Sequence, residues 1–343
     1  MTHSVVVGGA CFVGSWVVEE ILKDPQSKVT IMDNLISSER WNISTNPRVS
    51  FIEGSAAEFG TFEKIEAPID IIYQLACFHG NQSSIARPFD DLENGLKPTL
   101  TTLEWVKNNT PKTRVVYSGA GCAVAEKTWE SPKAIEEIDL TSLLHDSPYS
   151  ISKITGEMYC LFYAQHYKLD VVRVRFQNVY GPREILGAGQ WRGTENTIWR
   201  NVIPTFIYKA LNNMDLEIFA NSNASRDFIY VEDVAKGVLK AAQFGLTSKV
   251  YNIASGNETM IQALATLILE MTNSEAKIVT REKRNWDNSG RRFGSTKLSE
   301  QELSFKAKTN LREGIDSTIK WTELNMPKIK ESISKFAIED LLN

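Results

Sequence analysis

The sequence predicts an α/β fold: a doubly wound parallel sheet joined to a smaller, mainly C-terminal lobe. Three observations carry this. Short apolar runs alternate with longer helical patterns through the first half of the chain. Those runs are apolar on both faces, as in a parallel strand covered on each side by helices. The regularity then fades after about residue 176, where Gly187, Gly189 and Gly193 mark a long loop.

The first run, Ser4–Val7, reads as a strand that begins almost at once, followed by a helix near 12–23. Strands follow at Lys28–Met32, Val49–Glu53, Ile69–Leu75, Arg114–Ser118 and Asp170–Arg175, with helices near 83–108 and 147–168 between them. Further on, helices are expected near 199–212, 231–244, 260–272 and 310–324, with another at 327–342. Leu216–Phe219 and Val250–Ile253 read as short strands. The division this suggests is 1–176 plus about 225–253 for one lobe, and 177–224 plus 254–343 for the other.

Bulk properties narrow the function. With 343 residues, the chain can bury a large core. A net charge of −4 with no basic block argues against nucleic acid as a partner. No apolar run approaches the roughly 20 residues that span a bilayer. The N-terminus lacks the basic region of a signal peptide, so the cytoplasm is expected. Four widely spaced cysteines without a CxxC point to reduced thiols rather than a disulfide frame or a zinc site, and no metal is expected.

The first motif is VVVGGACFVGS, between a strand and a helix. It sets Gly8, Cys11 and Gly14 at G-x-x-G-x-x-G spacing. Glycines give the tight turn, and the helix's first N–H groups, at Phe12 and Val13, can receive a pyrophosphate. Asp33 ends the second strand, where a carboxylate can hold a ribose 2′-hydroxyl and repel a 2′-phosphate. NAD rather than NADP is therefore the expected cofactor. Cysteine at the middle position is small enough to be tolerated.

The second motif is SPYSISK, with Tyr149 and Lys153 one helical turn apart and on one face. A neighbouring ammonium favours the phenolate, which makes Tyr149 a candidate general base. Pro148 fixes the helix start.

Together with YQLAC, VVYSGAGC, FQNVYGPRE, RDFIYVEDVAKG and YNIASG, in order from about 5 to 320, these motifs resemble the extended short-chain dehydrogenase/reductases that act on nucleotide sugars. The resemblance implies a Rossmann domain, bound NAD, a nucleotide-diphosphate sugar as substrate and a homodimer built on paired helices. It makes Tyr149 and Lys153 the catalytic pair. It places Asn34, Ser55, Leu75 and Ala76 at the cofactor, with Ser55 where the family commonly has Asp. It assigns Asn178, Asn201, Val202, Arg226, Arg291 and Arg292 to the sugar nucleotide.

The strand ending at Ser118 normally leads to a Ser or Thr that hydrogen-bonds the sugar. Here Ala120 and Gly121 stand beside the sugar and neither side chain can donate. Cys122 follows, aligned with the acid/base cysteine of GDP-mannose 3,5-epimerases, whose partner lysine is here Arg192. Arginine keeps its proton and shuttles it poorly. Glu126 is a second candidate acid/base. The implied activity is NAD-dependent epimerisation through a transient 4-ketose, with dehydration, or nucleotide-sugar binding without turnover, as the alternatives.

Overall fold

The structure is a computed structural model that describes residues 2–78, 80–121, 132–139, 143–190, 194–219, 224–287 and 290–336. Its frame is a seven-stranded sheet formed by β1 (Thr2–Val7), β2 (Ser27–Asp33), β3 (Val49–Glu53), β4 (Ile71–Gln74), β5 (Arg114–Ala120), β6 (Val171–Phe176) and β7 (Val250–Ile253). The order across the sheet is β7-β6-β5-β4-β1-β2-β3. Every neighbouring pair is parallel. The chain turns from one half of the sheet to the other between β1 and β4, which opens a crevice at their carboxyl ends. Val7, the last residue of β1, pairs with Met32 on one side and Gln74 on the other.

Both faces of the sheet are covered, which is why the central strands are apolar throughout. Val6, Ile31, Val174 and Tyr251 pack with Val17 and Val18 of α1 (Phe12–Leu22) and with Val234 and Val238 of a later helix, Val231–Phe244. On the opposite face Val5, Val7, Ile72 and Tyr117 meet Leu103 of α2 (Lys97–Asn109) and Tyr163 of α3 (Pro148–His166). Each such fully buried aliphatic side chain contributes about 1.5–3 kcal/mol relative to exposure.

The helix expected at 83–108 is interrupted once, at Arg87, and carries a π turn further on. Residues Asn81–Ala86 and Pro88–Asp91 form separate helices, Leu92–Leu96 makes a π turn, and α2 begins only at Lys97. Pro88 disfavours helix in the residue before it, and Arg87 leaves the helical region at φ −138° and ψ 71°. Before Pro98, Leu96 and Lys97 stay helical, so that proline follows the π turn without breaking the run. The opposite departure occurs at the C-terminus. The helices expected at 310–324 and 327–342 are one, Leu311–Ser334, with Pro327 inside it. Apolar residues on both sides of the proline hold it straight enough to continue: Trp321, Met326, Ile329 and Ile333 pack with Leu186 and Tyr208.

A second core lies away from the sheet. Phe206 and Ile207 of α4 (Val202–Leu211) pack there with Tyr180, Leu264, Ile268 and Ile315. Between the two cores, Asn178–Tyr180 pairs in parallel with Phe228–Tyr230, directly above the carboxyl ends of the strands.

Candidate active site

A cavity of about 500 Å³ follows the crevice at the carboxyl ends of the strands. One end is a turn where backbone meets backbone. Gly8 has φ +82°, and a Cβ there would stand 2.8 Å from the Ala76 amide nitrogen. A Cβ on Gly14 would stand 2.1 Å from the Gly8 carbonyl oxygen, so α1 starts hard against the turn. Cys11 is its N-cap residue but its side chain accepts no cap bond; the thiol donates instead to the Gly8 carbonyl at 2.7 Å. Burial, reinforced by the Asp33 carboxylate, pushes that thiol up to about 12, so it stays protonated and adds no charge to the turn.

Asp33 closes β2. Its carboxylate accepts from the Ala10 N–H at 3.0 Å, the Leu35 N–H at 2.9 Å and the Ser38 hydroxyl at 2.8 Å. Burial raises its pKa, and these bonds oppose the rise. Phe12, Val13, Asn34, Ser55, Leu75 and Ala76 line the same end of the cavity. The Asn34 amide is held by Asn94 at 3.2 Å. Close backbone approach, an N-terminus without a side-chain cap and a carboxylate at the end of the second strand together fit a dinucleotide. The residues present therefore fit NAD.

Tyr149 and Lys153 enter from α3, whose start is tightly specified. Ser147 caps it by accepting from the Ser150 N–H at 3.4 Å, and Pro148 is its first residue. The Tyr149 N–H donates to the Ser84 hydroxyl at 3.1 Å, which ties the first turn to the Asn81–Ala86 helix. Lys153 is 4% exposed and donates to the Ser118 carbonyl at 2.8 Å. Its ammonium lies 5.5 Å from the centre of the Tyr117 ring. Tyr149 packs on Ala120, and both members of the pair line the cavity. Further along the same helix face, Glu157 receives Arg175 with three bonds between 2.9 and 3.1 Å. That buried pair pins α3 to β6.

The residues expected at the sugar nucleotide divide. Ser118, Ala120, Asn178, Asn201, Val202, Arg226 and Arg292 line the cavity. The Ser118 hydroxyl, however, is turned to the Gln74 carbonyl at 3.1 Å. Arg291 departs from expectation: it lies outside the cavity lining and forms two 2.8 Å bonds to Glu258. Adjacent arginines in an extended segment face opposite ways, so only Arg292 reaches the cavity. Gly121 is buried, but not as cavity wall. Cys122, Glu126 and Arg192 lie outside the described residues.

Several wall residues carried no assigned role in the sequence. Glu184 is buried and accepts from the Asn201 side-chain amide. Burial pushes its carboxyl up to about 7, against the pull of Asn201 and Arg200. Arg200 donates to the carbonyls of Thr197, Ser37 and Ala188. Burial lowers it to about 10, although Glu184 and Glu39 stand near. At the far end, the Arg284 guanidinium lies 3.8 Å from the centre of the Phe219 ring and 5.8 Å from that of Trp286. A Trp-Arg-Asn-Val run and scattered aromatics carry no spacing signal, so only the packed chain brings them together.

Fold and site thus define an NAD-binding enzyme of Rossmann type with a tyrosine–lysine pair beside the cofactor. Residues 4–254 match the model of the NAD dependent epimerase/dehydratase family, and the chain belongs to that family. Among solved structures, it is similar to the Bordetella bronchiseptica enzyme WbmF in complex with NAD+ and UDP. The two are 45% identical with a TM-score of 0.87, over 98% of this chain and 96% of that one. It is also similar to the UDP-glucose 4-epimerase of Thermotoga maritima with UDP-glucose, at 26% identity and a TM-score of 0.83, over 95% of this chain and 100% of that one. A dTDP-glucose 4,6-dehydratase of Actinoplanes is 26% identical, over 94% of this chain and 98% of its own length.

Proposed function

We propose that this protein epimerises a UDP-linked sugar through a transient 4-ketose. The observation that carries the reading is the convergence, in one cavity, of the dinucleotide turn, the Tyr149–Lys153 face of α3 and a cationic, aromatic far end. The neighbour that binds both NAD+ and UDP supports uracil as the base.

Bound NAD supplies a hydride acceptor that later returns what it took. Tyr149 removes the proton of the sugar 4-hydroxyl. The Lys153 ammonium, fixed by the Ser118 carbonyl, stabilises the negative charge on the tyrosine. Asn178, Asn201, Arg226 and Arg292 hold the nucleotide diphosphate, for which two guanidinium groups supply the countercharge. Phe219 and Arg284 offer a flat cationic face for the base. The ketose then turns over and is reduced on its other face, or exchanges a proton at an adjacent carbon through Cys122 or Glu126. The nucleotide lobe in this reading is 177–224 plus 254–343. The reading takes the cytoplasm as the setting, on the widely spaced unpaired cysteines.

We also assign a homodimer. Ile151, Met158 and Phe162 are exposed on α3, and Phe89 and Leu92 are exposed on the elements packed beside it. A second copy laid on this face covers all five.

The test is mass spectrometry of UDP-sugars incubated with the enzyme in deuterated water, alongside Tyr149→Phe. An epimer without deuterium assigns hydride return at carbon 4. Deuterium at carbon assigns exchange beside the ketone. A product lighter by one water assigns dehydration instead. Binding of NAD and UDP without any conversion would sink the enzymatic reading. Tyr149→Phe is expected to lower kcat about 10²–10⁴-fold with NAD still bound.

A further inference from the structure

A 4-ketose needs a hydrogen-bond donor at its oxygen as well as a base. Ala120 and Gly121 have none to offer, and the Ser118 hydroxyl is committed to the Gln74 carbonyl. Gln177 follows β6 directly, where its own N–H donates to the Ile253 carbonyl at 3.3 Å. The residue is 6% exposed and borders the cavity. The side-chain nitrogen, Nε2, is buried with no acceptor. A buried N–H without a partner is costly, so the position calls for an acceptor that arrives with the substrate.

Two glycines make the room. A Cβ built on Gly121 would stand 2.2 Å from Nε2 and 2.7 Å from the amide carbon of Gln177. A Cβ built on Gly294 would stand 2.8 Å from the same nitrogen. The carboxamide therefore fills the space into which a side chain at 121 would project. Gln74, the other buried glutamine with an unpaired Nε2, is not part of the cavity wall.

We propose that Gln177 is a catalytic residue whose amide N–H donates to the sugar oxygen at carbon 4, from the space of the side chain that Gly121 lacks. The proposal rests on the epimerase reading above. In the step it serves, the hydroxyl proton passes to Tyr149 and the carbon–hydrogen electron pair leaves carbon 4 as hydride for the nicotinamide. The carbon–oxygen double bond that forms accepts from Gln177, and no bond to Gln177 is made or broken. The return step runs the same transfers in reverse.

The experiment compares wild type, Gln177→Met, Gln177→Ala and the double variant Gln177→Ala with Gly121→Ser. For each, kcat and KM with the accepted UDP-sugar are measured, with the absorbance of bound NADH on mixing, NAD content and UDP affinity. Both single variants are expected to lose about 10²-fold in kcat and in the rate of NADH formation. KM, NAD content and UDP affinity are expected to stay as in wild type. The serine of the double variant, now with space for its Cβ, should restore about tenfold of the loss. Wild-type turnover in Gln177→Met, or a loss that runs parallel with NAD content or UDP affinity, would overturn the assignment. So would a double variant that holds NAD yet stays at the single-variant level. A wild-type enzyme that binds UDP and NAD but converts no sugar would overturn the epimerase reading, and this assignment with it.

Discussion

Glu184 illustrates chemistry set by position rather than by residue type. Its carboxyl titrates near 4.5 in an unfolded chain and is pushed up to about 7 by burial in the fold. The folded value exceeds the unfolded one, so the native state holds this proton more tightly. The stability this lends is complete below about 4.5 and is lost as pH rises through about 7. Melting curves between about pH 5 and 8 are expected to fall more steeply for wild type than for Glu184→Gln, with the variant the more stable at the alkaline end. Equal slopes would mean that Glu184 is as well solvated folded as unfolded. Nothing in GPREIL announces this behaviour. By contrast Tyr149, Lys153 and Asp33 were legible, because each sits at a fixed distance from a local signal such as a helix start or a strand end. Arg291 and Arg292 were not separable, since which of two neighbours faces a cavity depends on a strand direction that the pair does not encode.

At the scale of elements, the turn between β1 and α1 bears the closest packing at the cofactor end. A methyl group at Gly14 has no room against the Gly8 carbonyl, so the helix must move away from the turn. Gly14→Ala is therefore expected to be purified with little NAD and to lose about 1–3 kcal/mol of stability, read by thermal melting with and without added NAD. Retention of wild-type NAD content would show that the helix start can shift without disturbing the pyrophosphate site. The same scale exposes the limits of pattern reading. Periodicity alone predicts one helix through 83–108, whereas the residue before Pro88 leaves the helical region and the run restarts there. At Pro327 the proline rule misled in the other direction, because packing on Leu186 and Tyr208 outweighs one lost hydrogen bond.

Across the whole molecule, the two cores are clasped where the cofactor end begins. The Gln190 N–H donates to the Ile36 carbonyl at 3.0 Å, and the Gly189 N–H to the Glu39 carboxylate at 3.0 Å. Trp41 stacks on Trp321 with centroids 6.2 Å apart, and Lys335 pairs with Glu39. These contacts join the loop after β2 to segments beyond residue 186, so cofactor and substrate regions share one wall. On the outside, Phe89 at 82% and Met158 at 60% exposure leave a broad apolar face beside α3. Met158→Asp combined with Phe162→Asp is expected to shift the protein from dimer to monomer in light scattering while NAD stays bound. A monomeric wild type would remove the dimer assignment.

The sequence by itself determined the parallel sheet, the dinucleotide turn, the acid at the end of β2 and the tyrosine–lysine face. Each of these is local: strand apolarity, glycine spacing and one helical turn act over a few residues. Only the tertiary structure decided that Gln177 occupies the place left by Gly121, that Arg291 turns away to Glu258, and that Glu184, Arg200 and Arg284 join the wall. Those outcomes depend on burial and on approach between residues tens of positions apart. Desolvation and contact at such range come into being when the chain packs, and no spacing along it records them.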